Sequence, residues 1–180
     1  ITEVKVHINS IGCPNCRPKS YDMLKGYLNQ HKDCLCEDCL NRLDRNPMRI
    51  LDCKQESCKK VAADAPIALD YLCDDCREHF EKVKTYLDDM GIAYEIDTNI
   101  VRGLDYYTKT VFEFVSTNIG AQGTICGGGR YDGLISQLGG QATPGMGFGC
   151  GLERLIMVME AVDAPFPEPP KADILSLIHI

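Results

Sequence analysis

Eight cysteines in four close pairs constrain this chain more than anything else it contains. They are Cys13/Cys16, Cys36/Cys39, Cys53/Cys58 and Cys73/Cys76. Three pairs have the two-residue spacing that lets neighbouring thiolates meet one ion, and eight sulfurs suffice for two tetrahedral four-thiolate zinc sites. Which pairs meet stays open in the sequence, and a nested pairing is the expectation. Cys36, Cys39, Cys53 and Cys58 close a local knuckle, while Cys13, Cys16, Cys73 and Cys76 pin the two ends of the region together. Redox-active free thiols and disulfides stay open as readings. The short spacings, with no sign of secretion, favour metal and a reducing, cytoplasmic compartment. Cys34 is a spare that can replace Cys36. Cys126 and Cys150 lie outside the cluster and are expected to pack as small apolar residues.

Around these pairs the chain divides by composition. Residues 1–9, "ITEVKVHIN", alternate as a strand does. Residues 10–91 are charged and helical. "KSYDMLKGYLNQH" carries an i, i+3, i+4 stripe of Leu24, Tyr27 and Leu28; "DDCREHFEKVKTYLDDMG" puts Phe80, Val83 and Leu87 on one face and is closed by Gly91. Pro47 and Pro66 mark turns or helix starts between them. Residues 92–165 are glycine-rich and β-patterned. Strands are expected at "GIAYEID", "VFEFVS" and "GMGFGCG", a strand into a turn at "GTICGG", and helices at "GRYDGLISQLGG" and "LERLIMVMEAV". A proline-rich linker follows from 166. The last six residues, "LSLIHI", read as one frame of a sequencing adapter, and no function is assigned to them, His179 included.

The chemistry concentrates in three stretches of that last region. "IVRGLDYYTKTVFEF", residues 100–114, places Arg102, Asp105 and two adjacent tyrosines at the mouth of a strand. A core strand needs neither a cation nor paired phenols there. "GTICGGGRYDGL" sets three glycines before a helix, and "GMGFGCGLER" alternates glycine along a strand and opens a helix bearing Arg154. Glycines let a ligand approach backbone closely, and arginines favour anions. Bare backbone and two arginines together suggest a polyphosphate lying on an open sheet. The Gly-Lys-Ser/Thr of a phosphate-binding loop is absent.

In order and separation these stretches resemble the middle of a histidyl-tRNA synthetase, a class II aminoacyl-tRNA synthetase. "VRGLDYYTKTVFEF" is similar to that family's first signature, "GGGRYDGL" to its second and "GMGFGCGLERL" to class II motif 3; "INSIG" and "NPMRILD" are similar to family segments as well. The likeness runs to about residue 174. It implies an α+β fold: part of a class II antiparallel-sheet catalytic core (1–9 and 92–165) interrupted by a mostly helical, cysteine-rich insertion (10–91). The tail, 166–180, would be a linker and the start of an absent anticodon-binding domain. The likeness further implies ATP-dependent formation of histidyl-adenylate and transfer of the histidyl group to tRNA(His).

By the same resemblance Arg102 is the catalytic cation, gripping the α-phosphate and the histidine carboxylate. Tyr106 and Tyr107, with Gly127 and Gly128 of the 127–129 floor, line the histidine site. Arg154, Gly149 and Gly151 serve ATP. Magnesium accompanies ATP, and zinc is structural. Asp105 and Glu153 receive no chemical role. Leaning over the tRNA acceptor stem, the insertion would offer Arg42, Arg45, Arg49 and Lys54 to phosphates. Motifs 1 and 2 fall outside the chain, so these 180 residues alone are expected to be inactive, and the full-length enzyme to be a homodimer.

Composition narrows the alternatives. Net charge is −7 and both halves are acidic, so any nucleic-acid contact must be local, which disfavours a free-standing zinc-binding nucleic-acid module. A synthetase-like regulatory subunit of histidine biosynthesis is the other alternative, disfavoured by the inserted region and the intact "VRGLDYY". No apolar run reaches the length of a membrane span.

Overall fold

The computed structural model describes residues 4–101, 106–119 and 123–168. Its frame is a five-stranded sheet in the order β2-β1-β3-β4-β5. The strands are β1 (Val4–Ser10), β2 (Tyr94–Ile96), β3 (Thr108–Ser116), β4 (Thr124–Arg130) and β5 (Met146–Cys150). β1 and β3 to β5 pair antiparallel, but the edge strand β2 runs parallel to β1, with Val6 beside Tyr94 and Ile8 beside Ile96. Parallel neighbours need a long crossover. The whole cysteine-rich region is that crossover, leaving the sheet after Ser10 and returning at Tyr94.

Four helices build the crossover: α1 (Arg17–Gln30), α2 (Glu37–Arg42), α3 (Glu56–Ala63) and α4 (Asp74–Asp89), joined by short 3₁₀ turns. Proline occupies the first turn of α1 and opens the turn at Pro47–Ile50, where a missing N–H costs nothing. Leu24 and Leu28 of the expected stripe are buried and Tyr27 is half-buried. Of the stripe expected on α4 Phe80 is buried and Val83 and Leu87 are half-exposed, and Gly91 closes the helix at φ +67°. Leu28, Ile50 and Val111 have no exposed surface; each such burial contributes about 1.5–3 kcal/mol. They belong to one apolar cluster that joins the helices to Ile100, Tyr107 and Val111 of the sheet region.

Two expectations about the second half need correction. The glycine triplet 127–129 does not leave β4 for a turn; it continues the strand to Arg130, because neighbouring chains crowd it. A Cβ on Gly129 would stand 2.9 Å from both Tyr107 and Val111 side chains. The helix expected from 129 shrinks to one turn, α5 (Leu134–Gln137), with Gly139 at φ +88° ending the segment as expected. The last helix, α6 (Leu152–Ala161), follows β5 directly.

Candidate active site and metal centres

The two sheet faces differ in kind. Registers Val111↔Gly129↔Gly147 and Glu113↔Gly127↔Gly149 put four glycines on one face. The other face, through Phe112↔Gly128↔Phe148 and Phe114↔Cys126↔Cys150, is apolar. The glycine face therefore has a floor of bare backbone beneath the helical crossover. On it the Cβ position of Gly149 meets nothing within 4 Å, whereas at Gly151 it would touch only the Arg154 stem at 3.5–3.6 Å.

Three phenols gather at one end of this floor. Ring centroids lie 4.6 Å apart for Tyr106 and Tyr107, 5.8 Å for Tyr106 and Tyr131, and 6.4 Å for Tyr107 and Tyr131. Tyr107 is buried; the other two are half-buried. Tyr131 stands over Gly147, its hydroxyl 2.9 Å from where a Cβ would sit, and over Gly145. Sequence reasoning brought out Tyr106 and Tyr107 but missed Tyr131. The signal was in view: a tyrosine directly after the glycine strand, in the second signature. Arg130 beside it is held by Asp132 at 2.6 Å, and the Asp132 amide bonds the Thr108 hydroxyl at 3.1 Å.

At the other end, Arg154 donates to the Thr124 carbonyl oxygen at 2.7 Å. Thr124 in turn donates its hydroxyl to Glu113 at 2.9 Å. Five residues of strand separate Gly129 from Thr124, about 17 Å at 3.3 Å per residue. The phenol cluster and Arg154 thus mark the two ends of one strip rather than one point. Beside the strip runs a cleft of about 760 Å³, lined by His7, Asp97 and Asn99 from the β2 side, Glu113 and Thr124 from the floor, and Lys54 and Lys59 from the crossover.

Arg102 and Asp105 lie outside the described residues. The segment leading to them is firmly held. Buried Asn9 donates to the carbonyls of Thr98 and Ile100, both at 3.2 Å, and accepts from the Ser10 amide at 2.8 Å. Asp97 caps the same turn by accepting from the Asn99 amide at 2.9 Å. "INSIG" thus acquires a physical reason: its asparagine tethers the approach to the first signature.

Both nested cysteine sets come together. All Sγ atoms of Cys13, Cys16, Cys73 and Cys76 lie within 4.8 Å of one another, and so do those of Cys36, Cys39, Cys53 and Cys58. The measured edges are 3.8 Å for Cys13–Cys16 and Cys13–Cys73, and 3.9 Å for Cys16–Cys76 and Cys36–Cys53. A disulfide needs about 2.05 Å. A tetrahedron of sulfurs with zinc–sulfur distances of about 2.3 Å has edges of about 3.8 Å. Backbone amides already support the sulfurs: Cys13 N–H points to Cys16 Sγ and Cys36 N–H to Cys58 Sγ, each at 3.2 Å. Burial pushes the Cys13 thiol up, but amides of Cys16 and Asn15 and the neighbouring thiols outweigh it, leaving about 7. Burial and the surrounding thiols push Cys39 and Cys76 up strongly. Four thiols so enclosed cannot all ionise unless a cation compensates them. Cys34 is exposed and belongs to neither set.

The remaining expectations divide. Arg42, Arg49 and Lys54 line one cleft of about 380 Å³ beside the second tetrad, together with Asp38 and Asp52; Arg45 is not among its lining residues. Lys54 is paired with Asp52 at 2.6 Å, a bond that raises its pKa, so this cleft is zwitterionic rather than basic. Cys126 and Cys150 face each other across β4 and β5 in wholly apolar surroundings, yet Cys150 is exposed. The apolar setting agrees with expectation and the burial of Cys150 does not, because nothing among the described residues covers that face of the edge strand.

A family model for histidyl-tRNA synthetases matches residues 40–155. The chain belongs to the histidyl-tRNA synthetase family. It is 60% identical over 174 residues to the histidine–tRNA ligase of Acetivibrio thermocellus, an alignment covering 97% of this chain and 42% of that protein. Apo S. aureus histidyl-tRNA synthetase superposes with a TM-score of 0.68 at 37% identity, over 92% of this chain and 40% of that one. A Bacillus halodurans structure described as an ATP phosphoribosyltransferase regulatory subunit/histidyl-tRNA synthetase shares the fold alone, at 21% identity and TM-score 0.51, over 91% of this chain and 45% of that one. The chain spans about two fifths of the length of the curated synthetases it matches. No helix among the described residues is long and apolar enough to cross a membrane.

Proposed function

We propose that the complete protein is a histidine–tRNA ligase and that this chain supplies its histidine-binding end and part of its nucleotide floor. The observation that carries the reading is the glycine strip with three phenols at one end and Arg154 at the other. Its length, about 17 Å at 3.3 Å per residue, suits an amino acid laid end to end with a nucleotide. Tyr106, Tyr107 and Tyr131 read the imidazole, since phenols can both donate and accept. A pocket built to pair such groups rejects apolar side chains by about 10⁴ or more. Gly127 and Gly129 let the substrate lie on backbone, whereas Gly128 turns to the opposite, apolar face and bears on the site only through the course of the strand. Gly149 and Gly151 leave room for ATP, and Arg154 holds it.

In the reaction a histidine carboxylate oxygen attacks the α-phosphorus of ATP and pyrophosphate leaves; a terminal ribose hydroxyl of tRNA(His) then attacks the adenylate carbonyl and AMP leaves. Magnesium enters with ATP as part of the substrate. Such transfer needs positioning and charge stabilisation more than a protein nucleophile. Arg102, in the first signature, supplies the charge. Arg42, Arg49 and Lys54 are offered to tRNA phosphates, the two tetrads take zinc as structural ions, and the complete protein works as a cytoplasmic homodimer. The regulatory-subunit reading is the weaker one, since the similarity to curated histidine–tRNA ligases reaches 60% identity. The test is Arg102→Ala in the complete protein. Histidine-dependent pyrophosphate exchange should fall by about 10² or more, as for loss of one preorganised charge contact. Retained exchange overturns the role.

A further inference from the structure

The two tetrads are not equivalent in position. The first sits where Ile11 and Gly12 bond Lys109 at the start of β3, directly after Tyr106 and Tyr107; the second lies within the crossover, beside the Arg42, Arg49 and Lys54 cleft. Cys13 and Cys16 form the turn before α1, and Cys73 and Cys76 the start of α4. Each of these helix starts sends one side chain onto the same few residues of the signature strand. From α1, Arg17 donates its guanidinium to the Tyr107 carbonyl, and to the carbonyls of Gly12 at 3.3 Å and Ile11 at 3.4 Å. From α4, His79 meets the Thr110 hydroxyl at 3.1 Å. Between them the backbone locks: Ile11 N–H bonds the Lys109 carbonyl and Lys109 N–H bonds the Gly12 carbonyl, both at 2.8 Å.

This junction has no slack. Gly12 sits at φ +71°, and a Cβ there would come 2.7 Å from Cys16 Sγ. Lys109 holds φ +54°, a conformation uncommon for a side-chain-bearing residue and maintained only where surroundings impose it. The local apolar support is small, consisting of Cys16, Leu72 and Cys76 with Cys13, Leu69 and Cys73 at its edge. A cluster of that size, four of its six residues being the ligand cysteines, cannot by itself hold two helix starts together; a metal can.

We propose that zinc bound by Cys13, Cys16, Cys73 and Cys76 fixes the histidine pocket by clamping residues 107–110, with Arg17 as the positioning residue that transmits the constraint to Tyr107. The second tetrad meets the sheet only through the apolar cluster that Cys39 and Cys58 share with Tyr107 and Val111, and takes no part in the clamp. This rests on the zinc reading of the tetrads and on the placement of histidine at the phenol cluster.

The test compares Cys76→Ser with Cys58→Ser in the complete protein, with Arg17→Gln as a variant that leaves every ligand in place. Zinc per chain is measured by elemental analysis, amide hydrogen exchange is followed in the peptide covering 107–111, and KM for histidine and for ATP are read from pyrophosphate exchange. Wild type should hold about two zinc ions and each cysteine variant about one. Cys76→Ser should lose protection of the Lys109 amide and raise the histidine KM by about 10–100-fold, the usual cost of disturbing a support shell, with the ATP KM little changed. Cys58→Ser should keep both the protection and the histidine KM. Arg17→Gln should keep about two zinc ions and reproduce the histidine defect. The proposal is overturned if both cysteine variants leave 107–111 protected, if both loosen it equally, or if Arg17→Gln leaves the histidine KM unchanged. Should Cys76→Ser fail to fold, Arg17→Gln decides alone. Exchange protection and zinc count do not depend on catalysis, so a protein that clamps 107–111 through zinc but does not activate histidine contradicts the proposed function and leaves the clamp standing.

Discussion

Gly128→Ala should damage the sheet where Gly149→Ala should not, although both place a methyl group on neighbouring strands. At Gly128 the added Cβ would stand 2.7 Å from both Cα and Cβ of Phe148 and closer still to the Gly147 carbonyl oxygen. Non-bonded carbons settle at about 3.5–4.0 Å, so β5 must retreat by roughly 1 Å. That stretches ladder bonds of about 2.9 Å to nearly 4 Å, beyond hydrogen-bonding range. Two bonds lost at about 1 kcal/mol each, with about 1–3 kcal/mol of overpacking, come to about 3–5 kcal/mol. Neither obstacle is a flexible side-chain tip, so relaxation is limited. At Gly149 nothing lies within 4 Å and the change should stay within about 0.5 kcal/mol. Urea unfolding of the complete protein, followed by far-ultraviolet circular dichroism, measures both. Gly149→Ala should instead raise the KM for ATP, the outcome expected of a methyl group entering the proposed nucleotide site. Equal midpoints for Gly128→Ala and wild type would refute the packing argument. So would equal destabilisation by the two substitutions.

Three further outcomes follow from the site. Tyr131→Phe should raise the KM for histidine by about 3–10-fold, the worth of one lost hydrogen bond, without altering the unfolding midpoint. Arg154→Ala should raise the KM for ATP and spare that for histidine, since Arg154 and the phenols occupy opposite ends of the strip; pyrophosphate exchange reports both constants. Cys34→Ser should leave zinc at about two per chain while Cys36→Ser lowers it to about one, by elemental analysis; Cys34 is exposed and outside both tetrads.

How much of this was legible in the sequence depended on range. Alternation in "VKVHINS" and the Leu24/Leu28 stripe are local patterns, and both elements formed where expected. The close cysteine spacings were legible as metal-ligand pairs, but which pairs meet was not, because the sulfurs of each tetrad come within 4.8 Å of one another only through the fold. The glycine triplet misled because its reason is not local. Glycine in isolation reads as a turn, and only β5 and Tyr107, distant in sequence, explain why bare strand is required. The parallel placement of β2 was hidden for the same reason: three residues carry no mark of their partner's direction. Tyr131 and Arg17 were overlooked because each acts through a fold-made neighbour, the Gly147 floor for one and the Tyr107 carbonyl for the other. Single residues of common type declare such roles only after the chain has folded.

What the phenol cluster recognises is open to direct measurement. Pyrophosphate exchange by the complete protein should be measured with each of the standard amino acids in turn, at saturating ATP and magnesium. Histidine alone should stimulate it, with apolar side chains slower by about 10⁴ or more. Stimulation by a different amino acid, or by none, would contradict the assignment of Tyr106, Tyr107 and Tyr131 to an imidazole.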